Sequence, residues 1–157
     1  MHFSARTDIE ASTEQVFGAL ADFEAWERAA MRRGAEVTRS DMLPRPGRGM
    51  AWDVRFRFRG KDRLLKLKLV EMEPGARLVF AGKGKLLEGD ARLDLMALSP
   101  RRSRLMLHLD VRPLTLGARL FLQSARLARG KIQARLNKRM AQLAAEIEAR
   151  STDARRA

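Results

Sequence analysis

Apolar and polar positions alternate through the middle of the chain. In AWDVRFRFRG, residues 51–60, the side chains of Trp52, Val54, Phe56 and Phe58 fall on one side of an extended backbone. Asp53, Arg55, Arg57 and Arg59 fall on the other, the period of two expected of a strand with one dry face and one wet face. The next stretch repeats the pattern with Leu65, Leu67 and Leu69 against Lys66 and Lys68, and RLMLHLDV repeats it with Leu105, Leu107, Leu109 and Val111 inside. Turn-forming clusters, LPRPGRG, FRGKD, EPGA, GKGK and SPRR, punctuate the alternation. They predict strands over residues 36–41, 50–59, 63–72, 77–81, 86–98 and 103–111. Connections this short imply an antiparallel meander, because parallel neighbours need long crossovers.

Both ends of the chain follow a different period. HFSARTDIE reads as a first strand, and behind it Val16, Phe17 and Leu20 recur at helical spacing. Ser12 with Gln15 three residues on forms a capping box, and Asp22 caps a second short helix carrying Trp26. After Pro113 a helical pattern runs to residue 150, about 50 Å if unbroken, with Phe121, Ala125, Ala128, Ile132, Leu136, Met140, Leu143 and Ile147 as its apolar stripe. This helix is the expected cover for the dry face of the sheet, since an antiparallel sheet stands with one side in water only when the other is packed. Residues 1–150 are read as one domain and 151–157, STDARRA, as a frayed polar tail.

Composition narrows the chemistry. The 157 residues include no cysteine, which excludes disulfides, thiolate catalysis and cysteine metal sites. Neither a leader-like apolar segment nor a run of about 18 apolar residues is present, so the chain is placed in the cytoplasm by default. No phosphate-cradling loop or nucleophile elbow occurs, and His2 and His108, far apart in sequence, suggest no metal site. His108 falls on the wet face beside Asp110 and Arg104, where a surface ion-pair network is the expected reading and acid–base chemistry the rival. The formal net charge of +13 is uneven, about +3 over residues 1–100 and +10 over the remainder. Between Pro113 and Ala145 there is no acid, while Arg119, Arg126, Arg129, Lys131, Arg135, Lys138 and Arg139 are all basic.

One strand, two short helices, a six-stranded meander and a long C-terminal helix make the order of the helix-grip fold. The chain resembles the START-like, or SRPBCC, superfamily, particularly its polyketide cyclase/dehydrase-like members and the relatives of the birch pollen allergen. The resemblance is carried by Ile9, Ala11, Val16, Phe17, Leu20, Asp22 and Trp26 in IEASTEQVFGALADFEAW, by GRGMAW, and by LVEMEPGARLVF with its Pro-Gly turn. It implies an α+β helix-grip fold: a curved seven-stranded antiparallel sheet, two short helices after the first strand, and a long C-terminal helix over the concave face. It also implies a cavity between sheet and helix that holds lipids, hormones, polyketides or other apolar molecules. It carries over no catalytic signature, cofactor or metal.

The wall of such a cavity is expected from the dry sheet face and the inward helix stripe: Trp52, Phe56, Phe58, Leu67, Leu69, Leu93, Leu95, Leu107, Leu109, Phe121, Ala125, Ala128 and Ile132. The competing reading packs the same residues into a solid core, because pockets and cores are both apolar. Arg129 falls at the edge of the apolar sector; it either anchors a ligand carboxylate or phosphate, or lays its stem over the stripe and reaches water. A small apolar ligand held by burial is the first functional reading. A cyclase or dehydratase acting through polar groups in the same cavity is the second, and a basic surface for anionic membrane or nucleic acid the third. The third gains from Leu116, Leu120 and Leu127, which form a separate apolar patch on the basic helix that fits a homodimer or an anionic membrane surface. Against nucleic acid stands the lack of a groove-entering motif or stacking aromatics.

Overall fold

The computed structural model describes Met1–Arg156. Seven strands, β1 (His2–Ile9), β2 (Glu36–Arg39), β3 (Ala51–Phe58), β4 (Lys61–Glu73), β5 (Arg77–Lys83), β6 (Leu87–Ser99) and β7 (Arg102–Pro113), form one sheet. Its order is β1-β7-β6-β5-β4-β3-β2 and every pairing is antiparallel. Helices α1 (Thr13–Leu20) and α2 (Phe23–Arg32) follow the first strand, and α3 (Leu116–Leu127) and α4 (Arg129–Arg156) close the chain. This is the curved α+β helix-grip arrangement expected from the pattern.

The register fixes the phase of each strand. Trp52 lies opposite Leu67 and Val54 opposite Leu65, while Asp53 lies opposite Lys66. Leu93 lies opposite Leu107 and Leu95 opposite Leu105, so the dry positions of the sheet line up on its concave side. The convex side carries ion pairs such as Arg77–Asp94 at 2.7 Å, Arg104–Asp8 at 2.8 Å and Arg112–Asp110 at 2.6 Å. Neighbours across the β1–β7 pair also bring the two histidine rings together, stacked at 6.2 Å, although they stand at distant points in sequence. Among the described residues no group of His, Asp and Glu is arranged to hold a metal ion.

Each cap predicted for the first two helices is formed. Ser12 Oγ accepts from the Gln15 amide at 3.1 Å, Gln15 Oε1 accepts from the Ser12 amide at 3.0 Å, and Asp22 accepts from the Ala25 amide. Val16, Phe17 and Leu20 of α1, Phe23 of α2 and Met140, Ala144 and Ile147 of α4 are buried in one core with Trp52, Leu69, Leu78 and Leu105 of the sheet. Within it Trp52 packs against Phe23 and Phe80 at 5.6 and 6.3 Å, and its indole N–H donates to Glu27 at 2.8 Å. The buried Ser103 hydroxyl donates to the Ala11 carbonyl, tying β7 to the segment that leads into α1.

Two features of the C-terminal helix correct the sequence reading. The helix is not continuous: the backbone at Ala128 (φ −100°, ψ 14°) leaves the helical region and separates α3 from α4. Gly130, a poor helix former, stands just beyond the break. The expected frayed tail is helical through Arg156, with Ser151 buried, so the described part of it extends α4; Ala157 lies outside the described residues. The break divides the cover in two. α4 packs along β1 and α1, while α3 packs on the end of β7. No described helix is long and apolar enough to cross a membrane.

Candidate ligand cavity

β2 stops opposite Arg55, so Phe56, Arg57 and Phe58 project beyond it as a free-edged hairpin with the start of β4. Here the concave face changes character. Trp52 is 3% exposed, but Phe56 and Phe58, two and three turns of the alternation further along, are 37% and 46% exposed. Toward the same end the sheet floor loses its side chains, since Phe80 pairs with Ala91 and the next concave pair is Gly82 with Gly89. A Cβ on Gly89 would drive into the Asp110 carbonyl, so the β6–β7 ladder closes at that point only around glycine.

The space left is a cavity of about 1,220 Å³ that opens to solvent. Its walls are the β3–β4 hairpin, the β5–β6 turn and the start of α3, with Phe56, Phe58, Leu64, Leu65, Leu86, Leu87, Ala118 and Phe121 as apolar lining. Thr115 caps α3, its hydroxyl accepting from the Ala118 amide at 3.0 Å, and this sets the helix end against the mouth. Phe121 meets Phe58 edge to face at 6.4 Å, and the Arg59 guanidinium lies over Phe121 at 4.6 Å and over Phe58 at 5.6 Å. These three side chains clasp the hairpin to α3. Arg59 takes a positive φ of 52° beside Gly60 at 73°, the backbone of a tight two-residue hairpin turn.

The charge of the lining is lopsided. Arg55, Arg57, Arg59, Arg63, Lys66, Lys83 and Lys85 reach it, against Glu36 and Asp62. Asp62 stands 3.9 Å from Arg57. Arg63 differs from the other cations: it lies opposite Phe56 on the concave side, and its Nε is buried with no hydrogen-bond partner. No His, Ser, Thr, Tyr or Cys lines the cavity among the described residues. The carboxyls held below their usual range lie elsewhere, Asp41 through Arg39 and the Ala51 and Leu43 amides, and Asp8 chiefly through Arg104.

Of the residues expected to form the wall, the structure brings Phe56, Phe58 and Phe121 to the cavity. Trp52 and Leu69 are buried in the core, and Leu67, Leu93, Leu95 and Leu107 pack against it, so the solid-core reading holds for these six. Leu109, Ala125, Ala128 and Ile132 are half-buried away from the lining. Arg129 is corrected as a ligand anchor: its exposed side chain lies over Phe3 at 4.8 Å and donates to the His2 carbonyl at 2.6 Å, fastening α4 to β1. Pattern reading missed Arg63 although its signal was present. Two residues before Leu65, it shares the phase of Leu65, Leu67 and Leu69, and a strand taken to begin at Arg63 leaves its facing unconsidered. The basic rim was missed because FRGKD and GKGK read as turns.

A sheet gripping a long C-terminal helix, with an apolar hollow at one end, defines a START-like protein. The family model described as polyketide cyclase / dehydrase and lipid transport matches residues 1–148, and the chain belongs to that family. No curated protein matches it by sequence. Among solved structures it is similar to the Zhui aromatase/cyclase from Streptomyces sp. R1128, with a TM-score of 0.68, 13% identity, and coverage of 96% of this chain and 94% of that one. A START superfamily protein from Mycobacterium smegmatis matches with a TM-score of 0.56 at 14% identity, covering 85% and 95%. Ara h 8.0201 matches with a TM-score of 0.58 at 11% identity, covering 98% of each chain. At these identities the likeness is one of fold.

Proposed function

We propose that this protein binds a small hydrophobic molecule, lipid-like or aromatic, in the cavity between the β3–β4 hairpin and α3. The observation that carries the reading is the pair Phe56 and Phe58, large aromatics on the concave face left more than a third exposed beside Phe121. A ligand laid over them removes apolar surface from water at roughly 25 cal/mol per Å², within a preformed hollow. The cyclase or dehydratase alternative, in keeping with the name of the Zhui relative, needs an acid or base in the lining. Glu36 and Asp62 are the carboxylates there, and Asp62 already faces Arg57, so binding is the favoured reading. Titration with the neutral fluorophore N-phenyl-1-naphthylamine should give saturable enhancement at one site, weakened by Phe56→Asp. A linear, unsaturable response would overturn the proposal.

The outer face of α3 supports a second reading, attachment to an anionic bilayer. Leu116, Leu120 and Leu127 form one outward stripe, 73%, 56% and 93% exposed, flanked by Arg119 and Arg126. The same helix walls the cavity with Phe121, so ligand exchange would take place at the lipid surface. Cosedimentation with phosphatidylglycerol-containing vesicles, and none with phosphatidylcholine alone, is the expected result, lost in Leu116→Asp/Leu120→Asp. A stable dimer in sedimentation velocity that the same double variant dissolves would assign the stripe to a second copy instead.

A further inference from the structure

We infer that the ligand of this cavity carries an oxyanion head group, carboxylate or phosphate, and that Arg63 is the residue that holds it. The inference rests on the cavity being a ligand site and adds the chemical class of the ligand. Across the β3–β4 pair Arg63 stands opposite Phe56, so it shares the concave face with Leu65 and the apolar lining. Arg55, Arg57 and Lys66 have the opposite phase, and Arg59 is spent on its stack with Phe58 and Phe121.

Arg63 lacks the carboxylate partner that four arginines at the sheet have. Arg39 lies 2.6 Å from Asp41, Arg77 2.7 Å from Asp94, Arg104 2.8 Å from Asp8 and Arg112 2.6 Å from Asp110. Arg63 Nε is buried without an acceptor. Its sequence neighbour Asp62 stands 3.9 Å from Arg57, and Glu36 lies opposite Arg55 in the β2–β3 ladder, so both carboxylates belong to the convex phase. A buried N–H on a charged group costs stability unless something accepts from it. Its planar fork matches carboxylate or phosphate with two parallel hydrogen bonds. With an apolar floor beside it, the complementary molecule is an amphiphile whose tail covers Phe56, Phe58 and Phe121 while its head meets Arg63. The surplus of basic side chains around the mouth favours the approach of such an anion.

The test is displacement of N-phenyl-1-naphthylamine from the full chain at physiological salt by three twelve-carbon competitors: dodecanoate, dodecyl phosphate and dodecanol. The proposal expects at least one of the two anions to displace the probe at a concentration about tenfold lower than the alcohol, the preferred anion distinguishing carboxylate from phosphate. Arg63→Met should abolish the preference, and Arg63→Lys should keep part of it. The double variant Lys83→Gln/Lys85→Gln, at the rim, should lower all three competitors little and leave the preference standing. Equal potency of acid and alcohol on the native protein, with the probe still binding, overturns the head-group assignment and leaves the cavity in place. Failure of the probe itself to bind overturns the cavity reading beneath it. If Arg63→Met does not fold, loss of the preference in the rim variant, or its survival in Arg63→Gln, sinks the assignment to Arg63.

Discussion

Trp52 and Phe58 belong to one strand, share one face and obey one alternation, yet they lie in two different environments. Around Trp52 the concave face is filled: Phe23 and Phe80 pack against the indole, and α1 and the C-terminal half of α4 close over Leu69, Leu78 and Leu105. Around Phe58 the cover is α3 alone, the floor is glycine at 82 and 89, and β3 has lost its neighbour β2. The comparison teaches that apolar periodicity specifies which face a side chain takes. Whether that face becomes core or binding surface depends on what lies above it. The helix break at Ala128 is where the cover changes hands.

The comparison predicts unequal costs for truncation at its two ends. Leu69→Ala, in the filled half, should lower unfolding free energy by about 2–5 kcal/mol, because the fully buried position cannot collapse around the lost atoms. Urea denaturation measures it, and a loss below about 1 kcal/mol would mean that the filled half is not tightly packed.

Phe58→Ala, in the open half, should cost only about 1 kcal/mol, chiefly the edge-to-face contact with Phe121. Its larger effect should fall on binding, a several-fold loss of affinity for the neutral probe, since the ring lines the cavity. The opposite pattern, a large stability loss with binding intact, would put Phe58 in the core and erase the distinction.

Much of this is legible in the order of the residues alone. The strands, the dry and wet faces, the capping box at Ser12 and Gln15 and the resemblance to the START-like fold all follow from local pattern, and local pattern is set by neighbours within a few residues. The division of the dry face was not legible in that way. That Gly82 pairs with Gly89, and that β2 ends at the level of Arg55, are facts of register, which joins residues distant in sequence. Leu67, Leu93, Leu95 and Leu107 therefore looked like cavity wall and are packed against the core. The inward turn of Arg63 was within reach, because the alternation through Leu65 and Leu67 already assigns its face. The break at Ala128 has no proline to announce it.

The smallest effect concerns acid. In the filled half, Asp41 is held by Arg39 at 2.6 Å and accepts from the amides of Leu43 and Ala51, which pins the segment between β2 and β3 to the start of β3. These partners push its carboxyl well below the usual carboxylate range, the Arg39 hydrogen bond most of all. A carboxyl whose folded pKa lies below its unfolded value near 3.9 contributes stability that is complete above that value, declines below it and is lost as pH falls through the folded value. Asp8, lowered by Arg104, adds to the same acid limb. The native protein should therefore lose stability from about pH 5 downward, and Asp41→Asn should be less stable at pH 7 with a shallower decline. The gap between the two proteins should begin to narrow toward pH 3, below the unfolded value, and would close only as pH falls on through the folded value. Urea midpoints at pH 7, 5, 4 and 3 measure the gap. Parallel curves would show that Asp41 does not carry the acid sensitivity, and with it would go the contrast between a filled half whose arginines are neutralised by its own carboxylates and an open half whose Arg63 awaits an anion from outside.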